Sequence, residues 1–195
     1  MRSVPWMTDD SVEFICNFTA GTKDRTHQLP RVLEFGCGAS TLFFAFKSSV
    51  LISFEHDAAW SKKVTGHLEI EGIDHARVHL LPRPYSTKVA ELVGGSKFDL
   101  ISIDGRDRLL CLKEALEQDL LAANGIIVID NTERITTEDK RYAPMIDELD
   151  NHGFRYTHFE QLGMDRTGWI APHRWLTTVA WKAAGLQYTS KGLQI

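Results

Sequence analysis

The run Val32-Leu33-Glu34-Phe35-Gly36-Cys37-Gly38-Ala39-Ser40-Thr41 constrains the fold of this chain more than any other segment. Apolar residues with an acid near their end fit a buried strand. The two glycines let the backbone turn sharply out of it, so that N–H groups and the start of the next helix can approach a ligand. The following apolar run closes on Glu55, where a ribose would offer its hydroxyls. Two acids around a Gly-x-Gly turn therefore predict a floor for an adenosine cofactor. A dinucleotide fingerprint needs a third glycine, and Thr41 stands in that place, which weakens the nicotinamide dinucleotide reading.

With 195 residues, 43% of them hydrophobic, the chain has enough apolar surface for one sizeable core, and no shift in composition marks a second. The expectation is a single domain over 1–195: an N-terminal helical segment over 1–28, a core over 29–182 and a ragged tail over 183–195. A net charge of -4 argues against a general grip on nucleic acid. Cys16, Cys37 and Cys111 are odd in number and widely spaced, which suits reduced thiols. No apolar run has the ~20 residues of a membrane span, and Asp9 and Asp10 fall where a signal peptide would be apolar. A cytoplasmic protein without a membrane or nucleic-acid partner is expected.

Strands and helices alternate along the chain. A helix is predicted over 7–19, then strands over 32–35, 50–54, 76–80, 98–103 and 126–129, each short and apolar as parallel strands buried on both faces are. Helices are predicted between them over 40–47, 58–70, 86–93 and 108–121. Such alternation gives an α/β, doubly wound sheet with helices on both faces. A helix over 138–151 and two strands over 154–159 and 175–181 follow. No helix separates those two strands, so they are expected to pair antiparallel at one sheet edge.

In this order of elements, in the Glu34-to-Gly38 turn, in Glu55 and in the two-strand finish, the chain resembles class I S-adenosylmethionine-dependent methyltransferases. Phe54-Glu55-His56-Asp57, Phe98 to Arg106 and Gly125 to Asn131 are similar to small bacterial members related to the catechol-type O-methyltransferases. The resemblance implies a Rossmann-like sheet ordered 3-2-1-4-5-7-6 with the last strand antiparallel, and a small-molecule or sugar acceptor methylated on oxygen. It implies a cofactor set of Glu34, Gly36, Cys37, Gly38, Ser40, Thr41, Glu55, His56 and Asp104. Within that set, Glu34 and the turn would take the amino acid end, and Glu55 both ribose hydroxyls.

The second constellation is Asp104 at the end of the fourth strand and Asp130-Asn131 at the end of the fifth, neighbouring tips in a doubly wound sheet. Matching residues in catechol-type enzymes hold Mg²⁺, so the resemblance implies a metal set of Asp104, Asp130 and Asn131, with Asp104 or Asp130 orienting the acceptor as catalytic groups. The family's lysine base is replaced here by Asp107. The competing reading pairs the two acids with Arg106, Arg108 or Arg134 in a structural network. Trp6 is a candidate cover for the cofactor. The loop over 161–174, with Asp165, Arg166, Trp169 and His173, is a candidate cap on the acceptor. An NAD-dependent oxidoreductase and a non-catalytic cofactor-binding module are the alternatives. No Tyr-x-x-x-Lys pair supports the first.

Overall fold

The computed structural model describes residues 4–135, 143–162, 174–182, 187–189 and 192–194. Strands β1 (Arg31–Phe35), β2 (Val50–Glu55), β3 (Ala76–Leu80), β4 (Phe98–Ile103), β5 (Leu121–Asp130), β6 (Arg155–Leu162) and β7 (Arg174–Trp181) form one sheet. Its order is β3-β2-β1-β4-β5-β7-β6. All pairings from β3 to β5 are parallel, and β7 runs antiparallel to both β5 and β6. This is the predicted topology. Successive side chains of a strand point to opposite faces, and the central strands are apolar in both directions. Leu33, Phe35, Ile101, Ile103, Ile127 and Ile129 feed one core, while Val32, Leu100, Ile126 and Val128 feed the other.

Among the described residues, three α-helices cover each face. Helices α4 (Val89–Val93), α5 (Arg108–Glu117) and α6 (Ala143–Asn151) contribute Val89, Val93, Cys111, Leu112, Met145 and Leu149 to the first core. Helices α1 (Asp9–Thr26), α2 (Ala39–Ala45) and α3 (Ala58–Ile70) contribute Phe14, Ile15, Phe18, Phe44, Val64 and Leu68 to the second. The start of α1 is tied to the antiparallel edge. The Thr8 N–H donates to Thr177 Oγ1 at 3.1 Å, the Asp9 N–H to Gln161 Oε1 at 2.8 Å, and the Phe14 ring lies 5.4 Å from that of Phe159. Among the described residues, no helix is long and apolar enough to cross a membrane.

Some element ends differ from expectation for local reasons. Helix α1 continues through Gly21 to Thr26, because one interior glycine costs only about 1 kcal/mol and Phe18, Thr19 and Thr22 on the same stripe are buried. It stops at His27, which is left-handed at φ 59°. Strand β5 begins at Leu121 rather than 126, and α5 ends at Glu117, two residues before Asp119 turns left-handed at φ 50°. The tail is not ragged throughout: β8 (Gln187–Thr189) and β9 (Gly192–Gln194) pair antiparallel. A Gln-Tyr-Thr and a Gly-Leu-Gln segment two residues apart in sequence suit a short hairpin, and β9 lies alongside α1. Residues 163–173, with Asp165, Arg166, Trp169 and His173, lie outside the described residues, as do 136–142, which include the predicted start of α6.

Candidate functional site

Strand register decides which residues reach the carboxyl edge of the sheet. Phe35 is level with Phe54 on β2 and Ile103 on β4, so Gly36, Glu55 and Asp104, each one residue further along, share the edge. At this point the chain crosses itself closely. Gly36 takes φ 97°, and a Cβ built on it would lie 2.4 Å from Gly105 Cα. A Cβ on Gly105 would lie 1.9 Å from Tyr85 Oη. The Phe35 carbonyl accepts from the N–H groups of both Asp104 and Gly105, at 3.0 and 2.7 Å, which locks the two turns together. Only glycine fits either place.

Glu34 lies one residue inside the edge, level with Ser53 and Ser102, and is fully buried. It accepts hydrogen bonds from Ser40 Oγ at 2.5 Å, Thr41 Oγ1 at 2.6 Å and Ser53 Oγ at 2.7 Å. Thr41 Oγ1 in turn accepts from the Gly38 N–H at 2.8 Å. Burial pushes the Glu34 carboxyl up to about 7, against the lowering effect of the three hydroxyls. The expected contact of Glu34 and Thr41 with a cofactor is thus corrected. Both are sealed beneath the turn, and their hydrogen bonds fix its shape and the first turn of α2.

Glu55 is the acid that faces the cleft. Its Oε2 accepts from the Cys37 N–H at 3.1 Å, and its Oε1 from the N–H groups of His56 and Asp57 at 2.7 and 2.8 Å. A carboxylate has about four acceptor sites, so these three bonds leave capacity on Oε2 for a further donor. The cleft it lines has a volume of about 1030 Å³, with Gly36, Cys37, His56, Asp104 and Trp6 also in its wall. A side lobe of about 360 Å³ is lined by Gly38 and Ser40. Trp6, Cys37, Trp60, Lys63 and Asp104 belong to both, so the lobes adjoin. The Trp60 indole N–H donates to the Cys37 carbonyl at 2.5 Å, and the Lys63 ammonium lies 4.8 Å from the centre of the Trp60 ring. Burial raises the Cys37 thiol, with the charges of Glu55 and Glu34 adding to the effect, so it stays protonated and is no nucleophile.

The tips of β4 and β5 do meet, but around an arginine. Arg108, the first residue of α5, has a side chain only 9% exposed. Its Nη2 donates to Asp104 Oδ1 at 2.7 Å, the Asp104 carbonyl at 2.8 Å and Asn131 Oδ1 at 3.2 Å. Its Nε donates to the Gly105 carbonyl at 3.0 Å, and its Nη1 to the Asp130 carbonyl. The Asp130 side chain is buried, accepts from Thr177 Oγ1 at 2.7 Å and does not line the cleft. Burial raises Asp130 well above the carboxylate range, reinforced by the charge of Asp104. For Asp104 the effect of burial is partly offset by the guanidinium groups of Arg108 and Arg134. The residues expected to hold Mg²⁺ therefore do not fit one. A guanidinium already fills the space between Asp104 and Asn131, and Asp130 offers it only a main-chain oxygen. Among the described residues no group of three or more His, Cys, Asp or Glu could hold a metal ion.

Sequence reasoning missed several residues of the wall. Trp60 was signalled only by an aromatic in the first turn of the helix after Glu55. Arg83 lines the cleft and pairs with Asp107, Nε to Oδ2 at 2.7 Å, in the place where the catechol-type pattern has its lysine. Gly105 lay inside the Phe98-to-Arg106 segment without a role of its own, and the buried Tyr85, which donates to the Arg106 carbonyl at 3.0 Å, carried no motif at all.

No protein-family model and no curated protein sequence matches the chain. Solved structures do. The cofactor-bound Rv0187 from MTB aligns with a TM-score of 0.66 at 19% identity, covering 92% of this chain and 84% of that one. The O-methyltransferase TomG from Streptomyces achromogenes, involved in tomaymycin synthesis and solved with S-adenosylmethionine, aligns at 0.63 and 15% identity over 87% of this chain and 80% of its own. The O-methyltransferase from Bacillus cereus, in complex with S-adenosylhomocysteine, aligns at 0.62 and 14% identity over 92% and 84%. The shared property is the fold, which is that of the class I S-adenosylmethionine-dependent methyltransferases.

Proposed function

We propose that this chain is an S-adenosylmethionine-dependent methyltransferase acting on an oxygen of a small-molecule acceptor. The observation that carries the reading is Glu55. Three backbone N–H groups hold it at a strand tip beside the Gly36-Cys37-Gly38 turn, in a cleft that continues to Asp104. When bound, S-adenosylmethionine supplies a methyl group already activated on a sulfonium. The protein's work is then mostly orientation. Glu55 would receive a ribose hydroxyl, and Gly36, Cys37, Gly38, Ser40 and His56 would line the rest of the cofactor's berth. Trp6 and Trp60 would exclude water from it. Asp104 stands in the cleft wall with its Oδ1 held by Arg108, and its carboxylate can accept the proton of an acceptor hydroxyl in a hydrogen bond. Asp130, turned toward Thr177, is proposed as support for the tip of β5 rather than as an acceptor-binding group. Two structural neighbours being O-methyltransferases supports oxygen as the acceptor atom.

Calorimetric titration tests the assignment. S-adenosylmethionine and S-adenosylhomocysteine should bind and NAD should not. Glu55→Gln should weaken binding about tenfold, the loss of one charge-assisted hydrogen bond of about 1.4 kcal/mol. Binding of NAD alone would return the chain to the oxidoreductase reading. Tight binding without turnover across a broad panel of acceptors would favour a non-catalytic cofactor-binding module.

A further inference from the structure

The surroundings of Arg108 have the chemistry of a cation site. Five oxygens from two segments of chain, the tips of β4 and β5, converge on one side chain that is only 9% exposed: Asp104 Oδ1, Asn131 Oδ1 and the carbonyls of Asp104, Gly105 and Asp130. These are hard, oxygen-only donors of the kind that hold magnesium or manganese. A guanidinium instead satisfies them through a planar fork of fixed N–H directions. Local backbone shape serves the same end. Asn131 adopts φ 56°, and Asp107, immediately before Arg108, adopts φ 54°. Asn and Asp tolerate this left-handed region better than most residues. The first turn delivers the Asn131 oxygen to the guanidinium, and the second sends the Arg108 side chain back across the Gly105 and Asp104 carbonyls.

We propose that Arg108 is a resident cation, a positioning residue whose guanidinium does the work of a bound divalent metal by tying the tips of β4 and β5 and fixing Asp104 toward the cleft. On this view the site takes up no divalent ion, and the orientation of Asp104 does not depend on one. The role of Asp104 toward an acceptor rests on the proposed methyltransferase reading, but the occupancy of the cation position does not, so the two can fail separately.

The test is titration with Mn²⁺ as a spectroscopic stand-in for Mg²⁺, followed by electron paramagnetic resonance of the free ion, with and without S-adenosylhomocysteine. The unsubstituted chain should show no saturable uptake at millimolar Mn²⁺, and its affinity for S-adenosylhomocysteine should be the same in Mg²⁺ as in a chelator. Arg108→Ala frees the oxygens and should bind Mn²⁺ at least about tenfold more tightly than the parent. Arg108→Lys, which keeps a positive charge in place, should not. Saturable Mn²⁺ binding by the parent protein that Asp104→Asn abolishes would overturn the proposal. So would a folded Arg108→Ala that takes up no Mn²⁺, because the oxygens would then be an arginine socket and nothing more. If Arg108→Ala does not fold, the parent titration and the Arg108→Lys arm still decide.

Discussion

Glu34 is an acid with no access to water. Its proton is held more firmly in the folded chain than in the unfolded one, at about 7 against an ordinary 4.5. Its contribution to stability is therefore complete below the unfolded value and fades as pH rises through about 7. The difference amounts to about 3 kcal/mol, an order-of-magnitude figure. Melting temperature followed by circular dichroism should fall from pH 5 to pH 8. In Glu34→Gln, which keeps the shape without the charge, that fall should be shallower; an identical slope in the two proteins would contradict the assignment. The sequence marked Glu34 and Glu55 as equivalent acids at strand ends, and only register separates them. Glu34 stands level with Ser53, inside the sheet, whereas Glu55 projects one residue past the Phe35–Phe54 pair. Three hydroxyls from distant positions then claim Glu34. A single sequence does not reveal how far a strand runs before it frays, so it does not reveal which acid is wet.

At the scale of elements, the two turns that leave β1 and β4 touch through bare backbone. Gly36→Ala should destabilise the fold by about 3 kcal/mol or more, because its new methyl meets the main chain of Gly105, which has no room to move. Gly105→Ala meets the Tyr85 hydroxyl first and the Gly36 main chain at 3.0 Å, so adding Tyr85→Phe should recover only part of the loss. Urea denaturation of the three variants checks the order, and equal damage in all of them would count against this packing. The strands themselves were legible because each is a short apolar run facing two cores, as were the helices whose stripes match those cores. Element ends were less so. Gly21 looks like a stop and is a minor cost inside a helix whose next turn still buries Thr22. The β8–β9 hairpin is held by pairing that its weakly apolar residues do not advertise.

At the scale of the molecule, the described residues form a sheet with a core on either face and a cleft at its carboxyl edge, and this much followed from the alternation of elements and the placing of Glu55. Beyond Trp6, what did not follow is the cleft's aromatic and cationic lining, which comes from residues far apart in the chain: Trp60, Lys63 and Arg83. Trp60 stands in the wall of both lobes and is 43% exposed. Filling the cleft should change its surroundings, so S-adenosylhomocysteine should shift the tryptophan emission. Trp60→Phe should lose part of that shift while retaining calorimetric binding, and adding Trp6→Phe should remove most of the rest, because Trp6 also lines both lobes; a full signal in the double variant would put the ligand elsewhere. The contact between Gly36 and Gly105 has a broader consequence. With no side chain between them to act as a cushion, the turn after β1 and the turn after β4, which on the proposed reading lie under the methyl donor and the acceptor, form a single rigid plate. New acceptor preferences are then more readily reached by changing the rim at Arg106, Leu109 and Leu110 than by remodelling that plate.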